Sequence, residues 1–125
     1  MLIVDDEERL LVAVSDYFSL LGFGVDCAHD IREAQSFLAS AHYDIVIADL
    51  RLSGIDSREG LSLVTCIRER TSDTRVLMLT AYGTIEIEEE ARWRGVDAFL
   101  LKPQPLHEIA RIVGDLLAAG PIGCP

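Results

Sequence analysis

Five short apolar runs recur along this sequence, and a stretch with helical spacing follows each of them. The runs are rich in β-branched residues, which is typical of buried strands, and they span residues 2–4, 25–28, 45–48, 75–79 and 96–101. The stretches between them repeat apolar residues at intervals of three and four, as amphipathic helices do. A regular alternation of strands and helices predicts a parallel sheet covered by helices on both faces.

Local signals mark where several of the helices begin and end. The N-terminal signals are two capping-box pairs and a threonine cap, at Asp30/Glu33, Asp56/Glu59 and Thr84. Gly95 can close the fourth helix, and Pro105 suits the first turn of the fifth. These boundaries divide the chain into five β-α units.

The fold class predicted from this order is α/β, with a flavodoxin-like, doubly wound, five-stranded parallel sheet and five helices. Right-handed crossovers leave few topologies, and the strand order 2-1-3-4-5 is common for five strands. A chain of 125 residues is long enough for one core, which we assign to residues 1–118. The remainder, residues 119–125, contains two glycines and two prolines, and we expect it to be a flexible C-terminal tail.

Charge and composition exclude some function classes. The formal net charge is −10, which argues against direct binding of nucleic acid by this domain and favours a cation or a basic partner. No apolar run is long enough to span a membrane, and no basic region precedes the first apolar run, so we expect a cytoplasmic protein. The three cysteines, at Cys27, Cys66 and Cys124, lack metal-site spacing and are interpreted as structural.

Polar side chains follow four of the five predicted strands. They are Asp5 and Asp6 after the first, Asp49 after the third, Thr80 at the end of the fourth and Lys102 after the fifth. In the order 2-1-3-4-5 the first and third strands are neighbours that flank the switch point, where such sheets bind ligands. We therefore expect these side chains to meet at one edge of the sheet.

This set of residues favours phosphoryl chemistry. Three neighbouring carboxylates need a cation among them, and oxygen ligands that leave room for water and phosphate favour Mg²⁺. Asp49, at the end of the central strand, can attack phosphorus and form an aspartyl phosphate. Lys102 can hold one phosphoryl oxygen as a point charge, and the Thr80 hydroxyl can donate a hydrogen bond to another.

At these positions the sequence resembles the receiver domains of two-component response regulators. The resemblance extends from residue 2 to about residue 117 and is carried by four motifs: Ile3-Val4-Asp5-Asp6-Glu7, Ile47-Ala48-Asp49-Leu50, Leu79-Thr80-Ala81 and Phe99-Leu100-Leu101-Lys102-Pro103. It implies that Asp49 is the phosphoacceptor and that Asp6 binds Mg²⁺ directly. It also implies that Asp5 acts on the ion through water and that Arg51 provides a backbone carbonyl ligand.

The resemblance further implies a switch and its partners. Thr80 and Phe99 would form the switch pair, and the Lys102-Pro103 peptide bond is expected to be cis. The phosphoryl donor would be a sensor histidine kinase or a phosphotransfer protein. The changed face would comprise the fourth helix, fifth strand and fifth helix, and it would contact a downstream protein, an output domain or a second copy of the chain.

Some features depart from the family pattern or leave alternatives open. The loop between Asp49 and Gly60 is a few residues longer than usual, and Ser53 stands where the family commonly has proline. A phosphatase with an aspartyl-phosphate intermediate would need a second acid where Arg51 stands, and a flavodoxin-fold binding module that is not phosphorylated would not need the acids and the lysine. The sequence also leaves Trp93 open, either as a core residue or as a partner contact.

Overall fold

The computed structural model describes residues 1–52 and 58–119, in which five strands alternate with five helices. In chain order the elements are β1 (Leu2–Val4), α1 (Glu8–Leu20), β2 (Asp26–Ala28), α2 (Ile31–Ser40), β3 (Ile45–Ala48), α3 (Glu59–Arg70), β4 (Arg75–Thr80), α4 (Ile85–Arg94), β5 (Ala98–Leu101) and α5 (Leu106–Ala118). None of the five helices in these ranges has the length and apolar character that a membrane-spanning helix requires.

The strands form one parallel sheet in the order β2-β1-β3-β4-β5, so the predicted fold class and topology are confirmed. The register pairs Val4 of β1 with Ala48 of β3. Asp5 directly follows Val4, and Asp49 directly follows Ala48. The two aspartates therefore lie side by side at the carboxyl ends of β1 and β3.

The core consists of two apolar layers, one on each face of the sheet. Successive residues of a strand point to opposite faces, so Val46 and Ala48 belong to one layer and Ile45 and Ile47 to the other. Helices α2, α3 and α4 cover the first layer, while α1 and α5 cover the second. Burial of all four β3 residues explains why this strand reads as a continuous apolar run.

Two of the predicted helix caps are confirmed. The Asp30 carboxylate accepts a hydrogen bond from the Glu33 backbone N–H at 2.8 Å, and the Thr84 hydroxyl accepts one from Ile87 at 3.2 Å. Gly95 follows α4 with a φ of 113°, the left-handed conformation expected of a closing glycine.

Other boundaries differ from the predictions by a few residues. Helix α3 begins at Glu59, directly after Arg58, while Asp56 of the predicted capping box lies outside the described residues. Pro105 precedes the first helical residue rather than lying in the first turn. Strand β5 starts at Ala98 because the Val96 backbone N–H still bonds to the α4 carbonyl of Ala91. Residues 120–125 of the predicted tail also lie outside the described ranges.

Trp93 is 89% exposed on α4, so its interpretation as a core residue is wrong. The core below α4 is filled by Ala91 and partly by Ile87, which lie on the opposite side of the helix. The cis conformation expected for the Lys102-Pro103 bond is confirmed.

Candidate functional site

Asp5 and Asp49 are held at the sheet edge by backbone hydrogen bonds that continue the strands. The Asp5 N–H donates to the carbonyl of Ala28, and the Asp49 N–H donates to the carbonyl of Val4, each at 3.0 Å. Both residues are buried, with 2% and 5% of their surface exposed. Two acids are thus fixed side by side at the carboxyl end of the central strands, as the topology predicts.

Lys102, the single lysine of the chain, joins these two acids. Its ammonium group donates to Asp5 Oδ2 at 2.7 Å and to Asp49 Oδ2 at 3.2 Å. Its backbone N–H donates to the carbonyl of Thr80 at 2.8 Å, which ties the end of β5 to the end of β4. The structure therefore brings Lys102, Asp5, Asp49 and Thr80 together, as expected from the strand ends.

Burial and pairing shift the pKa values of this cluster. Burial raises the pKa of Asp5, although the hydrogen bonds from Lys102 and from the Glu7 backbone oppose the shift. Burial by itself would lower the pKa of Lys102, but its hydrogen bond to Asp5 and the charges of Asp5 and Asp49 raise it overall. Lys102 is therefore a fixed positive charge at neutral pH.

The acids also form a candidate metal site. One carboxylate oxygen each from Asp5, Asp6 and Asp49 lies within 4.8 Å of the other two. Asp49 Oδ1 is buried and has no hydrogen-bond partner among residues 1–52 and 58–119. Asp6 is exposed and leaves the cluster open to solvent on one side. An all-oxygen donor set with an unsatisfied buried oxygen fits a hard divalent cation such as Mg²⁺.

Thr80 and Phe99 lie on neighbouring strands beside this cluster. Thr80 is fully buried, and its hydroxyl oxygen accepts a hydrogen bond from the Tyr82 N–H at 3.1 Å, so its proton remains available for donation. Phe99 is half-buried and packs against the apolar layer under α4. A Cβ atom at Gly83 would lie 2.8 Å from the Phe99 ring, so this backbone segment closely covers the ring.

A cleft of about 440 Å³ opens above the acids. It is lined by Asp6, Glu7, Asp49, Arg51, Ala81, Tyr82 and Lys102. The Arg51 guanidinium carbon lies 3.7 Å from the centre of the Tyr82 ring, which is a cation–π contact. This contact was not predicted from the sequence, although the positions two residues after Asp49 and two after Thr80 place both side chains beside the site.

The close approach of Gly60 to the backbone of Asp49 is a second feature that was not predicted from the sequence. Gly60 is the second residue of α3, and a Cβ atom here would overlap the Asp49 carbonyl oxygen and lie 2.7 Å from the Leu50 Cα atom. The Gly60 N–H donates to the carbonyl of Leu50 at 3.0 Å. Only glycine allows α3 to approach the backbone that carries Asp49 so closely.

A doubly wound sheet with three acids, a lysine and a threonine at its carboxyl edge defines the class of aspartate-centred receiver proteins. A family model described as "Response regulator receiver domain" matches residues 1–114, and the chain belongs to this family.

Curated proteins with similar sequences are named as regulatory proteins. The chain is 34% identical over 113 residues to the regulatory protein AtoC of Escherichia coli. This match covers 90% of this chain and 24% of AtoC. It is 33% identical over 117 residues to the transcriptional regulatory protein PmrA of Pectobacterium parmentieri, covering 94% of this chain and 51% of PmrA. The chain thus spans about a quarter and about half of these two relatives, respectively.

Solved structures give the same result. A response regulator from Thermotoga maritima is 28% identical with a TM-score of 0.83, and the match covers 94% of this chain and 95% of that one. A response regulator from Burkholderia pseudomallei, solved with a phosphorylated aspartic acid and a calcium ion, is 27% identical with a TM-score of 0.79. That match covers 97% of this chain and 74% of that one. The chain is a receiver domain of two-component signalling.

Proposed function

We propose that this domain is a phosphorylation-controlled switch that receives a phosphoryl group on Asp49. The donor is the phosphohistidine of a sensor histidine kinase or of a phosphotransfer protein, and the exchange takes place in the cytoplasm. The observation that carries the proposal is the Lys102 ammonium group, which hydrogen-bonds both Asp5 and Asp49 beside a buried, unpartnered Asp49 oxygen. This arrangement combines a nucleophile with a fixed positive charge at the mouth of a cleft.

In the transfer step a carboxylate oxygen of Asp49 attacks the phosphorus atom of the phosphohistidine. The new O–P bond forms as the P–N bond breaks, and the imidazole nitrogen keeps the electron pair of the broken bond. Lys102 exchanges its contact with Asp49 for a phosphoryl oxygen, because the charge it faces moves from the carboxylate to the phosphoryl group. The Thr80 hydroxyl, whose proton is available, donates to another phosphoryl oxygen.

The metal in this proposal is Mg²⁺, which fits the donors at the site. Asp5, Asp6 and Asp49, with the backbone carbonyl of Arg51, would hold it, with Asp5 acting through water. When bound, it supplies positive charge that offsets the repulsion between the carboxylates and the incoming phosphoryl group. The response regulator from Burkholderia pseudomallei was solved with both a phosphorylated aspartic acid and a calcium ion, which supports the use of a divalent cation by this domain.

Phosphorylation is proposed to change the face formed by α4, β5 and α5. Thr80 moves toward the phosphoryl group, and Phe99 turns inward behind it, beneath the closely packed Gly83 segment. A shift from mostly off to mostly on requires about 5 kcal/mol of differential stabilisation. The new charge-assisted hydrogen bonds from Lys102 and Thr80 are of the kind that can contribute to this difference. The altered face then contacts a downstream protein or an output domain.

The family acts as regulators rather than as turnover enzymes. We infer slow hydrolysis of the aspartyl phosphate and no catalytic turnover of external substrates. Arg51, which stacks on Tyr82, stands where a phosphatase of the aspartyl-phosphate type would need its second acid.

The test is the intact mass of the protein after incubation with a small acyl phosphate, with and without Mg²⁺. We expect one added phosphoryl group on the wild type that requires Mg²⁺, and none on Asp49→Asn. The matched control is Asp16→Asn, which removes an exposed acid of α1 and retains the adduct. An adduct that persists in Asp49→Asn would refute the assignment of the phosphoacceptor. If folded wild type shows no adduct, continuous release of phosphate would favour fast self-dephosphorylation or a phosphatase, and the absence of release would favour a binding module.

A further inference from the structure

The outer face of α4 carries two of the most exposed apolar side chains of the described residues. Trp93 is 89% exposed and Ile85 is 74% exposed. With Glu89 between them they follow one another at intervals of four residues, so the three lie along one face of the helix. We refer to Ile85, Glu89 and Trp93 as the α4 stripe. An exposed tryptophan is costly to hydrate and is among the side chains that most often anchor protein interfaces.

Acidic side chains outnumber basic ones around the α4 stripe, and two of the acids have no basic partner among the described ion pairs. Glu88 and Glu90 are each paired with an arginine one turn further along α4, at 3.1 Å and 2.8 Å, and Glu90 also pairs with Arg58. Glu86 and Glu89 are exposed, and among the ion pairs of residues 1–52 and 58–119 neither has a basic partner. The stripe therefore combines large apolar groups with uncompensated negative charge.

The stripe connects to the proposed switch through the segment that precedes α4. A Cβ atom at Gly83, two residues before Ile85, would lie 2.5 Å from the Leu101 side chain and 2.8 Å from the Phe99 ring. Leu101 is itself 49% exposed. A change in the position of Phe99 would therefore displace the segment at Gly83 and, with it, the beginning of α4. This link rests on the proposed function.

We propose that the α4 stripe is the docking surface for a basic, amphipathic protein segment. Such a segment offers an apolar pocket for Trp93 and Ile85, and lysine or arginine side chains for Glu86 and Glu89. The charge complementarity follows from the unpaired acids and from the net charge of −10. The surface repels nucleic acid, because phosphate groups carry the same sign of charge.

A second copy of the chain fits this surface poorly. Glu89 lies at the centre of the stripe, so a two-fold contact between antiparallel α4 helices would place Glu89 against its own copy. Like charges in direct opposition across an interface disfavour association. Two chains with a net charge of −10 each also repel one another at longer range.

The experiment uses the full chain and a fluorescently labelled synthetic helix of leucine and lysine, about four turns long, as the basic amphipathic probe. Anisotropy measures its affinity, and the emission of Trp93, the single tryptophan, reports binding at the stripe. The variants are Trp93→Ala and Glu89→Lys. The matched control is Asp16→Lys, which makes the same charge change at an exposed acid of α1.

We expect saturable binding, a blue shift of Trp93 emission, and at least tenfold weaker binding in both stripe variants but not in Asp16→Lys. An equal loss in Asp16→Lys, or binding with unchanged Trp93 emission, would show non-specific attraction and overturn the proposal. If the free chain self-associated and Trp93→Ala abolished that self-association, the occupant of the stripe would be a second copy of the chain and not a basic partner. The intact mass of the same samples tests the proposed function separately, because phosphorylation of Asp49 without probe binding would overturn only the docking surface.

Discussion

Lys102 and Asp5 are 97 residues apart in the chain, yet the ammonium group donates to the carboxylate at 2.7 Å. The same ammonium group compensates Asp49, so one cation serves two buried acids. We expect Lys102→Met to lower the free energy of unfolding by about 3 kcal/mol at pH 7 without divalent cations, because it leaves two buried carboxylates unpaired. Urea unfolding followed by circular dichroism measures this loss, since the exposed Trp93 is a poor reporter of unfolding.

The loss in Lys102→Met should depend on pH in a defined direction. The pKa of Asp5 is raised in the folded protein, and removal of the lysine raises this pKa further. The Asp5 carboxyl group therefore favours the folded state below pH 3.8 and disfavours the folded state progressively above that pH. The pKa of Lys102 is raised above 10.5, so its contribution is present below pH 10.5 and is lost above it. The difference between wild type and variant is therefore greatest near neutral pH. The control Arg9→Met removes one exposed positive charge from α1 and should show no such profile.

The fold could be predicted from the sequence because the information is local and repeated. Each β-α unit has its own apolar run and helical spacing, and the short crossovers restrict the order of the strands. The acids and the lysine of the site could also be predicted, because Asp5, Asp49 and Lys102 each directly follow a strand. Their meeting at one edge is a consequence of the topology and needs no side-chain detail.

Features that depend on packing between elements distant in sequence could not be predicted. The closeness of Gly60 to the Asp49 backbone depends on how α3 approaches β3. The burial of Arg68 against Gly95 and Asp97 depends on the positions of three elements, and its sequence context resembles any charged helix end. Trp93 could not be assigned because the weak apolar pattern of α4 leaves the direction of its buried face open.

Gly60→Ala should destabilise the fold and disturb the site together. The added methyl group overlaps the Asp49 carbonyl oxygen, and backbone atoms cannot move aside as a flexible side chain can. We expect a loss of about 2 kcal/mol or more and slower phosphorylation of Asp49. The matched control is Gly114→Ala in α5, where the added methyl group meets no atom within 4 Å beyond its chain neighbours and the backbone of its own helix. That variant should gain about 0.5–1 kcal/mol, and equal effects of the two changes would refute the packing argument.

Arg68 should be the most important arginine for stability. Its guanidinium donates to the carbonyls of Gly95 and Thr74 and to the Asp97 carboxylate, with its side chain only 18% exposed. We expect Arg68→Met to cost about 2–3 kcal/mol, because the carbonyls of Gly95 and Thr74 lose their side-chain donor. Asp97 loses its shortest ion pair but keeps the Val76 N–H at 2.8 Å and Arg75 at 3.7 Å. Arg68→Lys should recover only part of the loss, because an ammonium group cannot reproduce the planar fork of donors.

The control for this prediction is Arg92→Met on α4. Arg92 pairs with Glu88 one turn earlier, and both side chains are more than 40% exposed. Such an exposed pair contributes about 0.5 kcal/mol at most. Urea midpoints of the three variants give the comparison, and a similar loss in Arg68→Met and Arg92→Met would contradict the importance of the buried network.

The stacked pair of Arg51 and Tyr82 should prolong the life of the phosphoryl group. The guanidinium lies 3.7 Å from the ring centre, and both side chains line the cleft above Asp49. We expect the stacked pair to restrict the approach of water to the phosphoryl group. A cation–π contact of about 0.5–1 kcal/mol corresponds to a change of about two- to fivefold in rate. We therefore expect Arg51→Ala and Tyr82→Ala each to accelerate loss of the phosphoryl group by about this factor.

Three further variants distinguish this stacking from other effects of the two side chains. The double variant should be no faster than the quicker single variant, because each change alone already breaks the stack. Tyr82→Phe keeps the ring under the guanidinium and should keep the wild-type lifetime, whereas Arg70→Ala removes an exposed arginine at the end of α3 and controls for charge. The measurement is the decay of the phosphorylated mass after the donor is removed. If Tyr82→Phe lost the phosphoryl group as fast as Tyr82→Ala, the hydroxyl rather than the stacked ring would protect it.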